Sequence, residues 1–118
     1  MSAQAQAWAM TQQIVTDPTA RHVLLVLAGY AGQDGRGAHP TAARMARDTG
    51  LHERTVRAKL MVLEAEDLIR RDRELAAYLE RRGVPKAICY DLVLDAPVQP
   101  GAPAAIVAGV TQSMDLAA

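Results

Sequence analysis

Between His52 and Lys59 this 118-residue chain places Arg54, Thr55, Arg57 and Lys59 in close succession. Thr41 and Arg44 stand just upstream, and a second basic group follows at Arg70, Arg71, Arg73, Arg81, Arg82 and Lys86. A guanidinium is a rigid fork of donors that fits two acceptors held side by side, whether phosphate oxygens or the edge of a planar base. An ammonium is a point charge suited to phosphate, and a hydroxyl both donates and accepts. Such residues can grip and read a polyanion. The three His, single Cys and scattered acids form no nucleophile–base set and no metal-ligand spacing. No catalytic residue, metal or cofactor is therefore expected. His22 has no second ligand at helical spacing. The Gly-rich stretch from Gly32 to Gly37 lacks the Lys-Ser/Thr pair of a phosphate-cradling loop, and it reads as a flexible connection.

The elements that must position these side chains follow from the apolar pattern. Val56, Leu60 and Leu63 recur at i, i+4 and i+7, which marks the buried face of a helix and leaves Arg54, Thr55, Arg57, Ala58 and Lys59 on the other side. Before it, Pro40 opens a shorter helix whose Ala42, Met45 and Ala46 face inward, while Arg44, Arg47 and Asp48 face out. Gly50 stands where the chain leaves that first helix, at a position suited to positive φ. Ala46 is small enough to let a second helix cross close over it. Upstream, Asp17-Pro18 caps and starts a helix that is apolar nearly all round, from Ala20 through Val23, Leu24, Leu25, Val26, Leu27 and Ala28, and so is buried on more than one side. Downstream, Leu68 to Arg71 begins a strand. Ile88, Tyr90, Leu92 and Leu94 alternate with Cys89, Asp91, Val93 and Asp95, as in a half-buried strand that pairs with it. The connection from Asp72 to Ala87 is long for a hairpin loop. "RELAAYLERR" can form a helical turn within it, ended by Gly83 and Pro85.

Composition sets the outer limits. Half of the residues are hydrophobic but only 3% are aromatic and none is Phe, so the core rests on aliphatic side chains of closely packed helices. Formal charge is zero, with 13 basic and 13 acidic residues, which argues against bulk attraction to nucleic acid and places the weight on local clustering. A single Cys excludes an intrachain disulfide and suits a reducing compartment. Cys89 falls on the less apolar strand face and reads as a small packing residue. No run is long and apolar enough for a membrane and no signal pattern opens the chain, so a cytoplasmic protein is expected, nucleoid-associated when bound to DNA. The organisation expected is an N-terminal helical segment or arm over residues 1–16, one domain over 17–95, and a Pro-rich linker and tail over 96–118. Trp8 serves the N-terminal segment as a packing anchor. "AAIVAGV" in the tail is the segment that could dock on the domain or on another chain.

Small residue, glycine and aliphatic residue at Ala46, Gly50 and Val56 have the spacing of a helix-turn-helix module. With "HVLLVLAGYAGQDG", "ARMARDTGLHERTVRAKLMVLEAEDLIRR" and "YDLVL", the chain resembles a winged helix-turn-helix domain over roughly residues 8–95, of the type found in small bacterial regulators and plasmid or phage replication proteins. The resemblance implies a mainly helical α+β fold: a three-helix core with a β-hairpin wing, flanked by the N-terminal segment and the C-terminal tail. It also implies double-stranded DNA as partner, with the second motif helix in the major groove. Arg54 and Arg57 are then the expected base readers, and Thr41, Thr55 and Lys59 phosphate contacts. Arg44 and His52 lie on the same side. Arg71, Arg73, Arg81, Arg82 and Lys86 belong to the wing, over backbone or minor groove. Glu53 at the helix start stabilises the positive helix end. His52 replaces the usual Ser or Thr cap, and Asp67 the usual terminal Gly. The expected role is a small transcriptional regulator acting as a homodimer through the N-terminal segment or tail, with two half-sites about 34 Å apart. The alternatives are a replication module whose tail recruits a protein partner, and a winged-helix protein-interaction module, which the acids Asp72, Glu74 and Glu80 favour.

Overall fold

The computed structural model describes residues 3–84 and 88–94. Five helices and two short strands follow in the order α1 (Ala3–Thr11), α2 (Pro18–Gly29), α3 (Ala42–Thr49), α4 (Glu53–Ala65), β1 (Ile69–Arg71), α5 (Arg73–Arg81) and β2 (Tyr90–Leu92). The architecture is the expected mainly helical α+β arrangement with a small antiparallel sheet. Lys86 and the expected linker and tail lie outside the described residues.

α2 occupies the centre. Asp17 caps it by accepting from the Ala20 amide at 3.2 Å, and Pro18 fits the first turn, where no N–H is needed. Ala20, Val23, Leu24, Leu27 and Ala28 are all buried, so α1, α3 and α4 can pack on different sides of it. α1 buries Ala5, Trp8 and Ala9 in the same core as the motif helices. Its apolar face is thereby covered within the chain. Gln12 ties the α1–α2 turn together: its amide donates to the Val15 carbonyl and accepts from the Ile14 and Val15 amides, each at 2.9 Å.

The motif helices end in two different ways. α3 starts one residue after Thr41, later than Pro40; the Pro40 carbonyl instead accepts from the Ile88 amide at 2.9 Å. It stops at Gly50, whose N–H still bonds the Ala46 carbonyl at 2.9 Å while its φ of 74° turns the chain out of the helix. Ala42 and Met45 are buried, whereas Ala46 is only half-buried, a departure from its expected inward position. α4 buries Val56, Leu60 and Leu63 as the spacing predicts. Past its end, Asp67 takes φ of 60° and the Leu68 amide reaches back to the Leu63 carbonyl at 3.1 Å, a Schellman turn built on a non-glycine residue.

The wing differs from a plain hairpin in two respects. β1 and β2 pair antiparallel with Ile69 opposite Leu92, Arg70 opposite Asp91 and Arg71 opposite Tyr90. β2 also pairs on its other side, where the Ala38 and Tyr90 backbones exchange hydrogen bonds of 3.0 and 2.9 Å. The segment from Gly35 to Pro40 thus acts as a third, irregular strand. The Gly-rich connection is internally bonded, with the Gly32 amide on the Arg36 carbonyl at 2.8 Å, and is not a free loop. The second difference is α5. What the sequence suggested as a helical turn is a nine-residue helix that carries Arg73 and Arg81. Cys89, expected on the less apolar face, is buried at 5% exposure. Burial pushes its thiol above the ordinary value, in keeping with a packing role.

The left-handed conformation costs an L residue about 1–2 kcal/mol, and glycine's greater backbone freedom returns roughly half of that. Asp67→Gly is therefore expected to raise the thermal midpoint by a few degrees, read by circular dichroism. A lowered midpoint would show that the Asp67 side chain contributes more than its backbone geometry costs.

Candidate nucleic-acid interface

The first half of α4 presents the groups that sequence reasoning placed against a polyanion. His52 does cap the helix: its Nδ1 accepts from the Arg54 amide at 3.1 Å, replacing the hydroxyl usual there. The ring therefore holds the helix start, where Glu53 adds an acid to the positive helix end. Thr41 performs the same service for α3, accepting from the Arg44 amide at 3.1 Å, and its hydroxyl proton remains available to a phosphate. Arg54 and Arg57 are exposed, Thr55 half-buried, and among the described residues no side chain pairs with either guanidinium.

Other expected contacts have partners inside the domain. Lys59 does not point outward: its Nζ lies 2.8 Å from Asp17 Oδ2, joining the middle of α4 to the N-cap of α2. The hydrogen bond from Lys59, together with the Ala20 amide, holds the Asp17 carboxyl below the usual aspartate value. Lys59, expected to meet phosphate, thus has a partner inside the domain. Arg44 lies 3.6 Å from Asp48, one turn along α3, and its Nε donates to the Tyr30 hydroxyl at 3.0 Å. Tyr30 in turn donates to Asp48, so the end of α2 is bound to α3 by three side chains. Burial and the Asp48 carboxylate raise the Tyr30 phenol, and the Tyr30 contact holds the Arg44 charge more firmly. The guanidinium of Arg44 remains more than half exposed and can still meet a backbone.

In the wing, Arg71 Nε lies 3.2 Å from Glu64 on α4, and the Tyr90 hydroxyl donates to the same carboxylate at 3.3 Å. Glu64 thus locks the wing to α4. This contact lay beyond sequence reasoning because Glu64 and Tyr90 are 26 residues apart and meet only once the strands pair. Arg73 and Arg81 lie exposed on α5, and Arg82 stacks its guanidinium 5.1 Å from the Tyr78 ring centre. A groove of about 840 Å³ separates α4 from the wing, with Arg57, Arg71 and Arg73 on its walls beside Asp72 and Glu80. The structure therefore brings Arg57, Arg71 and Arg73 together around one cleft; Arg54 and Thr55 lie outside its lining, and Lys59 is turned toward Asp17. Among the described residues no group of three or more potential metal ligands occurs, and no helix is long and apolar enough to cross a membrane.

Residues 17–69, from the cap of α2 to the start of β1, match a family model described as a helix-turn-helix domain. No curated protein and no solved structure matches the chain.

The Lys59–Asp17 pair has a signed consequence for pH. Because the folded-state value of Asp17 is depressed, the pair contributes in full above the ordinary aspartate range, and its contribution is lost as the pH falls through the depressed value. Lys59→Gln is expected to return Asp17 toward its ordinary value in a carboxyl-carbon NMR titration and to reduce the acid-induced fall in stability. An unmoved Asp17 titration would mean that the Ala20 amide alone sets its value.

Proposed function

We propose that the chain is a small sequence-specific DNA-binding regulator that reads the major groove with the first half of α4, a reading supported by the match of residues 17–69 to a helix-turn-helix family model. The observation that carries this reading is the pair of exposed guanidinium groups at Arg54 and Arg57, unpaired among the described residues on a helix anchored by Val56, Leu60 and Leu63. An arginine fork fits O6 and N7 of guanine, and two such forks a turn apart can read neighbouring base pairs. Thr41 and Arg44 meet the backbone at the start of α3. Arg71 and Arg73 meet it across the groove from α4, fixing register without reading sequence. Two copies occupy half-sites about 34 Å apart, one helical turn of the duplex.

The zero net charge fits this division of roles. Asp17, Asp48 and Glu64 neutralise basic groups that hold the domain together, leaving the positive field concentrated on one face. Non-specific attraction should therefore be weak and the readout contacts comparatively important.

The test uses a duplex selected by the chain itself from a random library, against a scrambled duplex, by fluorescence anisotropy over a salt series. Arg54→Ala and Arg57→Ala are each expected to reduce the preference for the selected duplex by about 1–3 kcal/mol. Arg73→Ala should weaken both duplexes alike and lower the salt slope by about one unit. Unchanged preference in both α4 variants would refute readout by α4. Locating the selected sequence at a promoter or at a replication origin then separates a regulator from a replication module.

A further inference from the structure

The outward face of α4 changes character along its length. Val56, Leu60 and Leu63 turn into the core, so Ala58, Met61 and Ala65, set four, seven and eleven residues after Arg54, fall in line with it opposite that buried face. All three are exposed, as is Val62 beside them. Met61 is 64% exposed, among the highest values of any large apolar side chain in the described residues. The charges in this part of the helix lie on its flanks, where Lys59 pairs with Asp17 and Glu64 with Arg71. The outward line therefore runs from one arginine into apolar side chains, whereas a solvated helix face is ordinarily polar.

Two of these four side chains are single methyls, so the line offers far less apolar surface than the roughly 800 Å² per partner of a protein interface. It is enough for a small apolar group that lies in line with whatever Arg54 and Arg57 grip. The major groove presents such a group on one base only, the 5-methyl of thymine, beside the acceptors of neighbouring guanines. Ala58 also keeps the helix slim, so that a base edge can approach it closely. We propose that Ala58 and Met61 meet thymine 5-methyl groups, and so add thymine readout to the guanine readout of Arg54 and Arg57.

The spacing fixes where those thymines lie. Along α4 the rise from Arg54 is about 6 Å to Ala58 and about 10 Å to Met61, against about 3.4 Å for a base-pair step. With α4 lying along the groove, the methyls fall within about two to three base pairs of the guanine that Arg54 meets. A contact to the methyl separates thymine from cytosine, which lacks it. This inference rests on readout by α4 as proposed above, but not on the number of copies bound or on the wing.

The experiment is fluorescence anisotropy on the full chain with the selected duplex, and with copies in which single thymines are replaced by deoxyuridine, which lacks only the methyl. Wild type is expected to bind about fourfold more weakly when a contacted methyl is removed, the worth of one buried carbon group. Met61→Ala and Ala58→Ser change exposed positions and are expected to keep the fold, as circular dichroism checks. Each should lose the deoxyuridine penalty at its own thymine. A penalty that persists undiminished in both variants would report duplex shape and overturn the proposal. So would a selected site without thymine in that window, or a wild type indifferent to every replacement while Arg54→Ala still loses its preference; both of these outcomes keep arginine readout. Indifference of wild type to deoxyuridine, together with unchanged preference in the Arg54 and Arg57 variants, would overturn both readings.

Discussion

The placement of α4 depends first on the burial of α2. This helix is apolar on several sides, so α1, α3 and α4 can each cover part of it, and its buried Val23, Leu24 and Leu27 hold the core between them. A helix covered on several sides cannot tilt without disturbing the neighbours packed there, because close-packed side chains leave no room to give. Polar ties then fix the motif helices to it, among them His22 at 3.1 Å from the Thr49 carbonyl at the end of α3. Lys59 joins α4 to the cap of α2, and Tyr30, at the other end of α2, joins α3 through Asp48 and Arg44. The orientation of Arg54 and Arg57 is thus set by residues that need never touch a ligand.

Much of this was legible in the sequence because it depends on local rules. The Asp17-Pro18 start, the Val56, Leu60 and Leu63 stripe, and the glycine at the end of α3 each follow from spacing or backbone geometry within a few residues. What escaped was set by tertiary contact. Lys59 lies on the polar side of α4 by periodicity, yet its stem is long enough to reach back to Asp17, and no pattern within α4 reveals that partner. The third strand of the wing was hidden in a stretch whose glycines suggested freedom; pairing with Tyr90 fixes it instead. α5 was visible as a helical segment, but its exposure follows only from its place at the tip of the wing.

The charge arrangement explains how a chain with no net charge can present a DNA-binding face. Arg44, Lys59 and Arg71 each lie beside a carboxylate; Arg57 and Arg73 line the cleft, and Arg54 is exposed on the same helix as Arg57. Glu64 has a double role, since it holds both Arg71 and Tyr90 and so keeps the wing in register with α4. Specificity in such a design comes from position more than from total charge.

The most direct test of the central claim is an NMR titration of the isotope-labelled chain with a short duplex at low salt. The account predicts that amide signals from residues 53–58 and from Arg71 shift or broaden first, while those of α1, on the far side of α2, stay in place. Perturbations confined to α1 and α2, with residues 53–58 unmoved at saturation, would contradict it.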